Sequence, residues 1–75
     1  MLRDFERGDA VQYFDIAHGG LPFQKDNYSK VGLVVDVEYH VKSDDFLVFI
    51  LWPWDGRPQA LFQKDCHNRG LRVLD

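Results

Sequence analysis

The run Phe46-Leu47-Val48-Phe49-Ile50-Leu51-Trp52 is apolar at every position, and Pro53-Trp54-Asp55-Gly56-Arg57-Pro58 closes it. Successive side chains of a strand point to opposite faces, so this run puts apolar groups on both sides where a small sheet needs only one. If Leu47, Phe49 and Leu51 face the core, then Phe46, Val48, Ile50 and Trp52 face outward, or the reverse. Burying such a side chain is worth roughly 1.5–3 kcal/mol, and leaving several wet also favours aggregation. Two covers are open to the chain: the segment Asp15 to Lys30, through Leu21, Phe23 and Tyr28, or another protein surface. A tightly coiled barrel, in which one strand feeds both sides of a compact core, is the purely structural alternative.

The chain has 75 residues, enough for one domain over 1–75, and a single core of this size supplies only about 3–5 kcal/mol. Assembly is therefore an expected source of further stability. A net charge of -3 argues against a general polyanion binder, since the phosphate backbone is held by a surplus of Lys and Arg. The one cysteine allows no internal disulfide, which fits a reducing compartment, so a cytoplasmic location is expected. Residues 1–7 alternate charge without the apolar segment of a signal peptide, and Phe46 to Trp52 falls far short of the roughly 20 residues of a membrane helix.

Gly8-Asp9 reads as a turn feeding a first strand, Ala10 to Phe14. Residues 15–30 hold Gly19, Gly20, Pro22, Asp26, Asn27 and Ser29, the punctuation of a long loop, with Ile16, Leu21, Phe23 and Tyr28 as apolar anchors that fold it back on the sheet. A second strand, Val31 to Tyr39, alternates with Leu33, Val35, Val37 and Tyr39 on one face and Val34, Asp36 and Glu38 on the other. His40 to Asp45 is a polar turn, and Phe46 to Trp52 returns as the third strand of a hairpin. Pro53 ends that strand, and Asp55-Gly56 offers the positive backbone angles of a tight reversal. A fourth strand, Pro58 to Gln63, leads to a single 3₁₀ or α turn over Lys64 to Asn68, with Gly70 suited to a left-handed conformation, and Leu71 to Leu74 is the fifth strand.

This layout is all-β: five short strands, a long first loop and one helical turn before the last strand. Gly8-Asp9-Ala10-Val11, Val31-Gly32-Leu33-Val34-Val35-Asp36-Val37, Trp52 with Asp55-Gly56-Arg57, and Leu71 to Leu74 resemble the corresponding pieces of SH3-like barrels, over roughly Gly8 to Leu74. The first two are similar to the Gly-Asp-x-Val and Gly-x-Val-x-x-Val patterns of KOW and Tudor-type modules. The whole is similar to small SH3-like proteins encoded by tailed bacteriophages. The Ala-Leu-Tyr-Asp-Tyr-type signature of SH3 domains that bind proline-rich peptides is absent. The resemblance implies a five-stranded SH3-like barrel and, in its most specific version, a capsid- or tail-associated virion component.

Catalytic and metal chemistry find little support. Asp65-Cys66-His67 pairs a thiol with an imidazole, but adjacent side chains diverge, no second cysteine exists, and His18 and His40 lie in separate loops. Cys66 reads as a small buried residue of the helical turn. Asp36, Glu38, Asp44 and Asp45 read as a solvated edge, without the Asp-x-Asp-x-Asp spacing of a calcium loop, and Gly19-Gly20 lacks the Gly-Lys-Ser/Thr of a phosphate loop. No catalytic, metal or cofactor-binding residue and no small-molecule substrate is expected.

The expected function is that of a non-enzymatic structural or adaptor module that docks to itself or to a larger protein. Its expected contacts are Trp52, Pro53, Trp54 and Arg57, since Trp and Arg dominate interface hot spots, with Phe23 and Tyr28 behind them. One alternative is a KOW- or Tudor-like nucleic-acid or ribonucleoprotein binder using Arg57, Lys64, Arg69 and Arg72, a reading the net charge disfavours. A small regulator or inhibitor of a host enzyme is another.

Overall fold

The computed structural model describes residues 3–13 and 31–74. Five strands form one antiparallel sheet: β1 (Ala10–Tyr13), β2 (Gly32–His40), β3 (Asp45–Leu51), β4 (Gln59–Phe62) and β5 (Leu71–Val73), in the order β4-β3-β2-β1-β5. β4 and β5 stand at the two edges, so the described sheet does not close on itself. A short helix, α1 (Gln63–Asn68), runs from one edge toward the other, and none of the described helices is long and apolar enough to cross a membrane. Strand content and order agree with the all-β reading; Phe14 and the expected loop of 15–30 lie outside the described residues.

β3 supplies the core through alternate positions. Val48, Ile50 and, just past its end, Trp52 are buried, together with Val11, Val34, Leu61, Cys66 and Leu71. Cross-strand pairing explains the grouping: Ile50 faces Val34, and Val48 faces Val37 on one side and Leu61 on the other. The opposite face of β3 carries Leu47, Phe49 and Leu51, paired with Glu38, Asp36 and Leu33.

β2 departs from the simple alternation expected of it. The register slips between Val34 and Asp36, a β-bulge that gives β2 one residue more than its partner needs. Before the bulge Val34 points inward and Leu33 outward; after it the inward residue is Val37, with Asp36 and Glu38 outside. Leu33, expected to share a face with Val37, is therefore on the other side, 46% exposed.

The loops also hold corrections. The β2–β3 connection is a 3₁₀ turn, Val41–Ser43, closed by Asp44 in the left-handed region at φ 47°, with the Tyr39 hydroxyl donating to Asp44 Oδ1 at 2.6 Å. Asp45, read as part of a solvated edge, is buried. Its Oδ2 accepts the Lys64 N–H at 3.2 Å and its Oδ1 the Phe46 N–H at 2.7 Å, so a strand carboxylate caps the first turn of α1. Between β3 and β4 the chain reverses at Trp52–Asp55, where the Asp55 N–H donates to the Trp52 carbonyl at 3.0 Å. Pro53 suits the second position of such a turn, and no positive angle is used at Asp55 or Gly56. Gly70, at φ 79°, does take the left-handed conformation after α1.

The N-terminal segment, read only as a charged stretch, is part of the core. Phe5 is fully buried, its ring 5.3 Å from that of His67, while the Asp4 N–H donates to Gln63 Oε1 at 2.8 Å. Gly8, at φ 96°, then turns the chain into β1, its N–H donating to the Val34 carbonyl at 2.7 Å.

Candidate functional site

Trp52 organises the end of β3. Its indole is 2% exposed, stacks on Tyr13 (centroids 5.4 Å) and on Trp54 (5.0 Å), and donates its Nε1–H to Gln59 Oε1 at 2.9 Å. Its six-membered ring lies against Gly32, where an added Cβ would meet ring carbons and Ile50 Cγ2 at 2.8 Å. Only glycine leaves room there. Trp52 was expected to be a contact residue; it is instead a core residue, because it continues the inward alternation of Val48 and Ile50.

What Trp52 holds up is exposed. Trp54 covers one of its ring faces and is 46% exposed, while Val31 (45%), Leu33 and Leu51 (36%) crowd the neighbouring surface. Ala10, Val31, Leu33, Leu51, Pro53 and Asp55 line a shallow depression of about 390 Å³. Leu33 and Leu51 are directly paired across β2 and β3, which makes the patch part of the sheet rather than a loose loop. Pro53, Trp54 and Arg57 are exposed in the β3–β4 connection, as an interface reading needs. Phe23 and Tyr28 lie outside the described residues. Of the two faces left open for β3, the outward one is that of Leu47, Phe49 and Leu51; Val31 and Leu33 were not expected at the surface, and for Leu33 the bulge hid the signal.

Arg57, Lys64, Arg69 and Arg72 are all exposed. Arg57 precedes β4 and Lys64 follows it, so the length of that strand separates them, while Arg69 and Arg72 flank the turn into β5.

Cys66 and His67 diverge. Cys66 is fully buried among the core residues, and burial pushes its thiol up to about 12 from an ordinary value of 9.0. His67 is exposed, with Nε2 2.6 Å from Asp4 Oδ2. Asp36 and Glu38 stay together on the outer face of β2, where Asp36 also accepts the Val37 N–H, while Asp45 is buried and Asp44 accepts the Tyr39 hydroxyl. That last hydrogen bond raises the Tyr39 hydroxyl above its usual value. His40 packs edge-on to Phe62, and His18 lies outside the described residues. Among the described residues no three His, Cys, Asp or Glu side chains come together in a way that could hold a metal ion.

Compared with known protein families, with curated proteins and with solved structures, the chain has no match.

Proposed function

We propose that this chain is a non-enzymatic protein-interaction module of SH3-like build, docking through the corner where β3 ends. The strand order β5-β1-β2-β3-β4, the long connection after β1 and the short helix between β4 and β5 support the SH3-like reading. One observation carries the function: Val31, Leu33, Leu51 and Pro53 line one exposed apolar depression against the buried Trp52, and Trp54, next to Pro53 in the turn, is exposed while stacked on that same ring. Apolar patches of this kind on a small protein mark interaction sites, and an exposed Trp on a rigid base is the usual centre of one. A capsid- or tail-associated role remains the most specific form of the proposal and rests on the resemblance to phage-encoded proteins alone.

Multi-angle light scattering and affinity capture with the purified protein test it, with Trp54→Ala as comparison. Self-association or a stoichiometric protein partner, weakened by Trp54→Ala while the fold is kept, supports the proposal. A strictly monomeric protein with no protein partner, in which Trp54→Ala changes only stability, refutes it. Tight, salt-sensitive binding of single-stranded DNA or RNA would refute it in favour of the Arg57, Lys64, Arg69 and Arg72 surface.

A further inference from the structure

The docking corner continues into the outer face of the three strands β2, β3 and β4. That face can be written row by row from the pairing: Leu33 beside Leu51, Asp36 beside Phe49 and Ala60, Glu38 beside Leu47 and Phe62. The β3 column and its β4 neighbours are wholly apolar. The β2 column carries two exposed carboxylates, and no Lys or Arg occurs among the outward residues of these three strands. The β-bulge creates this arrangement, since without it Asp36 and Glu38 would share the inward side with Val34. A chain that aims two acids beside an apolar column is complementary to a partner carrying apolar and basic side chains on one flank.

We infer that this face receives an amphipathic helix of a partner protein, its apolar stripe along Leu47, Phe49 and Leu51 and a basic flank toward Asp36 and Glu38. Sheet faces are ordinarily covered by helices when they are not left wet. The column from Leu47 to Leu51 is about 13 Å long at strand spacing, which a helix of about nine residues spans. Asp36 and Glu38 are about 7 Å apart along β2, close to the rise of about 6 Å between helix positions i and i+4, so two basic residues one turn apart meet both carboxylates. The inference rests on the docking function proposed above and adds the partner's chemistry to it.

A fluorescein-labelled synthetic peptide of Leu and Lys, patterned as a twelve-residue amphipathic helix, is the test ligand, with a Leu/Glu peptide of the same pattern as its control. Fluorescence anisotropy is read for the full chain, for Glu38→Lys and, separately, Asp36→Lys, and for Glu6→Lys, which makes the same charge change as Glu38→Lys on an exposed residue of the N-terminal segment. Circular dichroism establishes that each variant is folded. The expected result is binding of the Leu/Lys peptide in preference to Leu/Glu, weakened about tenfold by Glu38→Lys or Asp36→Lys, as loss of one close charge pair at an interface produces, and nearly unchanged by Glu6→Lys. Equal effects of Glu38→Lys and Glu6→Lys, equal binding of both peptides, or no binding of Leu/Lys overturns the inference. So does a dimer that Leu51→Gln abolishes and the Leu/Lys peptide does not displace, which would give the face to a second copy. In each of these cases the docking proposal still stands if Trp54→Ala weakens a protein contact, and falls with the inference if it does not.

Discussion

Ile50 and Leu51 are adjacent in β3 and isomeric in their side chains, yet Ile50 is fully buried between Val34 and Gln59 while Leu51 is 36% exposed beside Leu33. The same contrast holds for Val48 against Leu47 and Phe49, which are half-buried. One face of the strand makes the core; the other is apolar beyond what folding requires. Hydrophobic composition alone assigns both faces to stability, whereas the pairing register divides them into a packing face and a face available to a partner. Substitutions on the two faces are therefore expected to separate stability from association.

The largest effect is expected inside. Trp52→Ala removes a buried ring that stacks on two others and leaves a cavity, costing about 3–5 kcal/mol. That is comparable to the whole stability of a core this small, so circular dichroism is expected to find the variant largely unfolded at 25 °C. Gly32→Ala reaches the same ring from the opposite direction, by placing a methyl 2.8 Å from it. A loss of about 1–3 kcal/mol in urea denaturation is expected from such overpacking. Asp45→Ala takes the cap from α1 and leaves the Lys64 N–H without its acceptor, for a loss of about 1–2 kcal/mol by the same measurement.

Alkaline pH provides a milder test of the inner face. The Cys66 thiol titrates near 12 when folded and near 9.0 when exposed, so the unfolded chain gives up its proton first. The stability due to the buried neutral thiol is fully present below pH 9 and is lost as pH rises toward 12, with a slope approaching about 1.4 kcal/mol per pH unit. Urea midpoints at pH 8 and pH 10 are expected to fall further for the native chain than for Cys66→Ala, and equal falls would place Cys66 outside the core. The smallest stability effect belongs to Leu51→Gln, within about 0.5 kcal/mol as for other surface changes, although it cuts into the proposed docking face.

Much of this division could be read from the sequence and some could not. The run from Phe46 to Trp52 showed that one strand carries too many apolar groups, and Pro53 and Gly70 marked where the chain stops and turns. The bulge in β2 was not legible, because Leu33, Val35, Val37 and Tyr39 alternate cleanly with Asp36 and Glu38, and only the pairing of Val34 with Ile50 and Asp36 with Phe49 reveals the slip. Phe5 was hidden by its charged neighbours Arg3, Asp4, Glu6 and Arg7, which remain exposed while the ring enters the core. Asp45 looked like one more acid of a polar turn; its burial depends on the N-terminus of α1 arriving beside it from nineteen residues along the chain. Trp52 and Trp54 looked equivalent; Trp52 continues the inward alternation of Val48 and Ile50, while Trp54 sits in the reversal beyond it and stays exposed.

The neighbouring pair Ile50→Val and Leu51→Gln, each measured for urea stability and for binding of the labelled Leu/Lys peptide, separates the two faces of β3. Ile50→Val is expected to lose about 0.5–1.5 kcal/mol of stability and keep its binding, and Leu51→Gln to keep its stability and lose binding. Leu51→Gln destabilising the fold as much as Ile50→Val, with binding unchanged in both, would contradict that division of the strand.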